Sequence, residues 1–191
     1  VVRASRVICI SKSTERDLLE IMPEAAGKTT VVHLASSLSS TDQAKNDAVF
    51  GQPKFLFVGA RAGYKNFLFL LRAFAKAATV RPEIRLVLAG APLTMEERWQ
   101  MYYLGISEKV SLVEYPDETA MRDLYRSSVA LLYPSRYEGF GIPPLEAMAC
   151  GTVAVTANTS SLPEVVGEGG IMLDPADEGA WADCMVQLAR P

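Results

Sequence analysis

From Lys54 onward the sequence alternates short apolar runs with longer segments of helical spacing, and that alternation leaves few folds open. The runs are KFLFVG at 54–59, Ile84–Ala89, Val110–Val113, Val129–Tyr133, Val153–Thr156 and Ile171–Leu173. Each is apolar at consecutive positions, as in strands covered on both faces. Between the first two runs, Asn66 is the expected N-cap of a helix. Its Phe67, Leu70, Leu71, Phe74 and Ala78 recur with the period of a core-facing stripe. Further helices are expected over about 94–103, 118–125, from Pro143, 162–166 and 176–188. Strands separated by helices predict an α/β fold, a Rossmann-like doubly wound parallel sheet. Ligands of such sheets bind at the carboxyl ends of the strands, so the loops after Gly59, Gly90, Val113, Tyr133 and Thr156 are the places to look.

The opening of the chain has a different grain. A strand is expected over Val7–Ser11, then a helix in SKSTERDLLEIM with Ser13 as N-cap, then a second strand in TTVVHLA at 29–35. His33, the sole histidine, reads as a packed or hydrogen-bonded core residue rather than a catalyst. The stretch SSLSSTDQAKNDA at 36–48 is small, polar and without period, which marks a linker. The expected division is therefore 1–36 as the end of one lobe, 37–50 as linker and 51–191 as a second domain. A chain that opens on Val1 and enters a strand almost at once reads as a piece of something longer.

A net charge of −3 provides no whole-surface footprint for nucleic acid. Cys9, Cys150 and Cys184 form no C-x-x-C pair and read as buried thiols in a reducing compartment. No apolar run approaches the roughly 20 residues of a membrane span, and no leader opens the chain, so a soluble cytoplasmic protein is expected.

Chemistry concentrates in PSRYEGFGIPPLEAMACG at 134–151. Between Glu138 and Glu146 lie seven residues, among them Gly139, Phe140, Gly141, Ile142 and a Pro143-Pro144 pair, the composition of a tight loop entering a helix. Both acids, the glycine backbone and the helix N–H groups are expected to converge on one place suited to a polar, phosphate-bearing ligand. Acids near a helix N-terminus are also favoured by the macrodipole without any ligand. In GARAGYKN, Arg61 and Lys65 stand four residues apart at the mouth of the first strand of the sheet. Two cations there can neutralise a diphosphate, or they are solvated surface charge. Neither a Walker loop nor G-x-G-x-x-G occurs. Cations for a diphosphate and carboxylates for hydroxyl groups together match a nucleotide sugar. In NTSSLPEVVGEGG at 158–170, Ser161 and Glu164 have the spacing of a capping box, and the same N–H groups could instead hold a phosphate.

Taken together, FLFVGARAGYKNF, the Glu-x7-Glu run in its GFG context and NTSSLPEVVG resemble the C-terminal, donor-binding domain of a retaining GT-B glycosyltransferase of family four, the glycosyl transferases group 1. The resemblance covers about residues 52–189, and SRVICISKSTERDLLEIM to TVVHLAS resembles the end of that family's N-terminal lobe. It implies two Rossmann-like lobes facing across a cleft, with a GDP- or UDP-linked sugar held mainly by the second. Arg61 and Lys65 would bind the diphosphate and stabilise the departing nucleotide. Glu146 would bond the ribose, Glu138 would lie at the transferred sugar, and the backbone of Gly139, Phe140, Gly141 and Ile142 would hold its hydroxyls. Tyr115 and Pro116, in the stretch from Glu114, would frame the base.

The implied reaction is hexosyl transfer with retention and without a metal, to a glycan or lipid-linked acceptor, in cell-envelope polysaccharide or lipopolysaccharide synthesis. Two features depart from the family. The Arg61–Lys65 spacing is shorter than in many members, and the acceptor lobe, with its glycine-rich loop and histidine, is almost entirely missing. His33 does not match that histidine. The chain alone is expected to bind donor without transferring it, and any peripheral membrane association would run through the missing lobe. Rival readings are a non-catalytic nucleotide-sugar-binding module, or an epimerase or phosphorylase-type enzyme of the same layout.

Overall fold

Strands that are apolar on both faces must be covered on both, and the computed structural model meets that demand with one parallel sheet. Residues 1, 3–38, 52–61 and 63–190 are described, so most of the linker expected at 37–50 lies outside the described residues. The sheet comprises β3 (Lys54–Val58), β4 (Arg85–Gly90), β5 (Val110–Glu114), β6 (Ala130–Tyr133), β7 (Val153–Ala157) and β8 (Ile171–Leu173). All are parallel, in the order β5-β4-β3-β6-β7-β8. The intervening helices are α2 (Phe67–Val80), α3 (Met95–Tyr103), α4 (Glu118–Arg126), α5 (Ile142–Ala149) and α6 (Leu162–Val166), and α7 (Glu178–Leu188) follows the last strand. The doubly wound α/β fold expected from the alternation is the fold observed.

The period-two geometry of a strand divides the core. Phe55, Phe57, Leu86 and Leu88 face one side and pack with α2, α7 and Met101. Leu56, Val87, Leu131 and Tyr133 face the other side and pack with Tyr125 of α4, Ala147 of α5 and Leu162 of α6. Leu38 is buried in this second cluster. Every residue of the predicted α2 stripe is buried, and so is Phe69, which meets Trp181 of α7 edge-on with ring centroids 6.0 Å apart. The Trp181 indole N–H donates to the Asp174 carbonyl, as a buried indole must find a partner.

Ahead of the sheet, β1 (Val7–Cys9) and β2 (Thr29–Val31) form a separate parallel pair flanking α1 (Lys12–Ile21). Ser11, not Ser13, caps α1, because its hydroxyl accepts from the Thr14 N–H at 2.9 Å and the helix starts earlier than expected. His33 lies beyond β2 and its side chain is 48% exposed, so it is not a core residue. Asn66 occupies the N-cap of α2 in a left-handed conformation, yet its amide donates to the Pro175 carbonyl and caps nothing. Cys9 and Cys150 are buried as expected, whereas Cys184 is only half-buried. Among the described residues no helix is long and apolar enough to cross a membrane.

Candidate functional site

The strand order reverses direction between β3 and β6, which are neighbours in the sheet although β4 and β5 intervene in sequence. At such a switch point two loops leave the carboxyl edge side by side and open a crevice. One loop carries Arg61 and Lys65, and the other carries Arg136 to Gly141. Lys65, at the end of a short 3-10 turn over Gly63–Lys65, places its ammonium 2.6 Å from Glu138 Oε1 and 2.7 Å from the Tyr133 hydroxyl. Both charged side chains are 12% exposed. A lysine has three N–H bonds to donate, and these contacts use two of them. Burial, reinforced by the Glu138 charge, pushes the Tyr133 phenol far up, so it serves here as a neutral hydroxyl. The Arg136 N–H donates to the Tyr64 carbonyl and ties the two loops together.

The Glu138 backbone is held from the loop after β7. Its N–H donates to Ser160 Oγ at 2.8 Å, and the Ser161 hydroxyl is within hydrogen-bond distance of the carbonyls of Glu138 and Phe140, at 2.9 and 2.7 Å. Ser161 therefore caps no helix, and the expected capping box with Glu164 is absent because both side chains are engaged elsewhere. A capping box does occur between Thr94 and Glu97 of α3. Gly141 has φ +112°, and a Cβ there would stand 2.8 Å from Leu162 Cδ2. The closeness of α6 and this positive φ both require glycine.

Glu146 lies within α5, where its Oε2 accepts from the Tyr125 hydroxyl at 2.8 Å. Tyr125 is fully buried, and burial together with the Glu146 charge pushes its phenol far up. The two glutamates have separate partners: Glu138 is tied to Lys65 and Glu146 to Tyr125.

Arg61 has a different environment from Lys65. Its Nε donates to Glu97 at 2.6 Å and its Nη2 to the carbonyls of Ala91 and Pro92, and the side chain is 5% exposed. Nη1 is buried with no hydrogen-bond partner among the described residues. Burial works to raise the Glu97 carboxyl, but Arg61 and the Thr94 N–H outweigh it and hold that carboxyl below its ordinary range.

Backbone strain gathers at the same edge of the sheet. Among the described residues, the non-glycine residues with left-handed φ are Asn66, Tyr115 and Ser160, one in each loop after β3, β5 and β7. Such conformations cost about 1–3 kcal/mol each and persist where the surroundings over-determine them. Tyr115 is 72% exposed, and its N–H donates to the Gly90 carbonyl. Pro116 follows it directly. Sequence reasoning missed Tyr133, Tyr125, Glu97 and Ser160 as partners. Only Glu97 was locally signalled, by the T-x-x-E spacing from Thr94.

The model of the family described as glycosyl transferases group 1 matches residues 39–189. O-antigen chain mannosyltransferase B of Escherichia coli is 36% identical over 69% of this chain and 35% of its own length. A D-inositol 3-phosphate glycosyltransferase of Mycolicibacterium smegmatis is 30% identical over 97% of this chain and 45% of its own. The solved structure of a mutant of S. aureus TarM, in complex with fondaparinux, alpha-GlcNAc-glycerol and UDP, superposes with a TM-score of 0.82. It covers 98% of this chain and 37% of that one, at 14% identity, a likeness of fold. The chain thus spans less than half the length of these relatives. By the family match and by a fold shared with GT-B glycosyltransferases, the chain belongs to the glycosyl transferases group 1 family.

Proposed function

We propose that this chain is the C-terminal, donor-binding half of a retaining GT-B glycosyltransferase of family four. In this reading residues 1–36 end the acceptor-side lobe, 37–50 link the lobes, and 51–191 hold a nucleotide-diphosphate sugar. The observation that carries it is the Lys65–Glu138 pair at the sheet's switch point, with one lysine N–H left over for a phosphate oxygen. Lys65, aided by the unpartnered Nη1 of Arg61, neutralises the diphosphate of a GDP- or UDP-linked sugar. Glu138 accepts from sugar hydroxyls, and the backbone of Gly139, Phe140, Gly141 and Ile142 lines the same place. Glu146 takes the ribose hydroxyls, since a carboxylate bonded once by Tyr125 retains accepting capacity. Tyr115 and Pro116 frame the base.

As the anomeric C–O bond to the diphosphate breaks, negative charge grows on the leaving phosphate and positive charge on the sugar ring. A fixed ammonium at the first and a carboxylate at the second stabilise both without reorganising. The cations supply the neutralisation for which a metal ion would otherwise serve. The whole protein then transfers a hexosyl group, in the cytoplasm, to a glycan or lipid-linked acceptor of envelope polysaccharide synthesis. Relatives named for O-antigen chain mannosyl transfer support that setting.

Calorimetric titration of the chain with UDP, GDP and dTDP tests the donor site. Binding of at least one, weakened by Lys65→Ala, is expected; absence of all binding sinks the reading. In the protein with both lobes, Glu138→Ala is expected to abolish transfer with the fold intact, and near-normal turnover would remove Glu138 from the site.

A further inference from the structure

Among the described residues the β1–β2 pair makes no strand contact with the larger sheet, so other contacts must hold the opening segment in place. Several converge on the start of α1. A helix leaves its first N–H groups without intrahelical partners. Ser11 takes that of Thr14, while those of Lys12 and Ser13 donate to Glu164, at 2.9 Å to Oε2 and 3.1 Å to Oε1. Glu164 belongs to α6, 152 residues after Lys12. A carboxylate facing two N–H groups at the positive end of a helix makes charge-assisted hydrogen bonds in the favourable direction of the dipole.

The same end of α1 touches the loop that carries Glu138. Thr14 Oγ1 donates to the Gly139 carbonyl at 3.0 Å, and the Tyr137 hydroxyl donates to Asp17 at 2.6 Å. His33 Nε2 lies 3.4 Å from Glu164 Oε2, and its ring centroid is 5.7 Å from that of Phe140. From the opposite side, Ser160 and Ser161 hold the Glu138 backbone. The Glu138 loop is therefore gripped between α1 and the start of α6, and Glu164 joins the two jaws.

We propose that Glu164 is a positioning residue: by capping α1 from α6 it clamps the β1–α1–β2 unit onto the 137–140 loop and fixes where Glu138 stands. Its value for donor binding rests on the function proposed above, whereas the clamp itself does not. Without the carboxylate, the Lys12 and Ser13 N–H groups lose their acceptor, the start of α1 loosens from α6, and the Thr14 contact to Gly139 loosens with it.

Amide hydrogen exchange and nucleotide titration of the 191-residue chain, wild type beside Glu164→Ala, Glu164→Gln and Thr14→Val, test this. In Glu164→Ala the amides of Lys12 and Ser13 should exchange about fivefold faster, the factor carried by loss of a helix cap. Amides 138–141 should accelerate with them while those of β3 and β4 stay protected. Glu164→Gln, which keeps one acceptor oxygen, should fall between. Thr14→Val should free 138–141 alone, and both Glu164→Ala and Thr14→Val should weaken binding of a GDP- or UDP-linked hexose several-fold. Faster exchange at Lys12 and Ser13 with 138–141 unmoved would make Glu164 a cap only and overturn the proposal. If Glu164→Ala loses its core protection, unchanged exchange at 138–141 in Thr14→Val overturns it instead. Should the wild type bind no nucleotide, the donor-site reading fails while the exchange pattern still decides the clamp.

Discussion

The ammonium of Lys65 lies 2.6 Å from the carboxylate of Glu138, although 73 residues separate them. Each side chain is almost buried, so removing one leaves the other charge poorly solvated. Lys65→Ala and Glu138→Ala should each destabilise the chain by about 2–3 kcal/mol, somewhat less than for a fully buried pair. The double variant should cost less than the sum, because the second removal takes away the stranded charge. Urea unfolding of the four proteins gives the coupling energy, and strict additivity would show that the pair carries none.

Tyr125→Phe preserves volume and removes only the hydroxyl that bonds Glu146. A stability loss of about 1 kcal/mol is expected. If Glu146 serves the ribose, affinity for UDP or GDP should fall while that for inorganic pyrophosphate stays unchanged. Equal losses for both ligands, read by calorimetry, would take Glu146 away from the ribose.

Gly141→Ala and Gly105→Ala separate crowding from backbone strain. Both glycines have positive φ, +112° and +67°, but nothing lies within 4 Å of a Cβ at Gly105, whereas Leu162 Cδ2 would be 2.8 Å away at Gly141. Leu162 is fully buried, so its side chain can yield only by displacing its packed neighbours. Gly105→Ala should cost about 1 kcal/mol, and Gly141→Ala about 2 kcal/mol or more once crowding is added. Thermal denaturation orders the two, and only Gly141→Ala should also impair nucleotide binding.

Glu97 sets an acid limit to stability. Burial works to raise its carboxyl, but Arg61 and Thr94 outweigh it and lower the value on folding. The unfolded chain then takes up this proton at a higher pH than the folded one. The stability Glu97 contributes is full above its ordinary value of about 4.3 and is lost as the pH falls through the lower folded value. Urea midpoints between pH 5 and 3 should drop less steeply in Glu97→Gln than in wild type. Glu164 and Glu178, also held low, leave a residual slope.

What was legible in the sequence was whatever the backbone and its nearest neighbours decide. Consecutive apolar residues such as Phe55, Leu56 and Phe57 require cover on both faces, and that requirement alone yields the wound sheet. The 3.6-residue stripe of α2 was legible for the same reason. Caps were less so, because a polar side chain has several destinations within reach. Ser11 rather than Ser13 starts α1, Asn66 bonds Pro175, and Ser161 bonds the Glu138 loop.

By itself the sequence determined the α/β class and the residue types gathered in the loops at the carboxyl edge of the sheet. Only the tertiary structure decided their partners. Strand order brings the loop of Lys65 beside that of Glu138, and helix packing sends Glu164 to the start of α1 instead of its own helix. The physical reason is range. Periodicity and propensity act over a few residues, while a buried ammonium or carboxylate takes whichever partner the packed elements bring within about 3 Å.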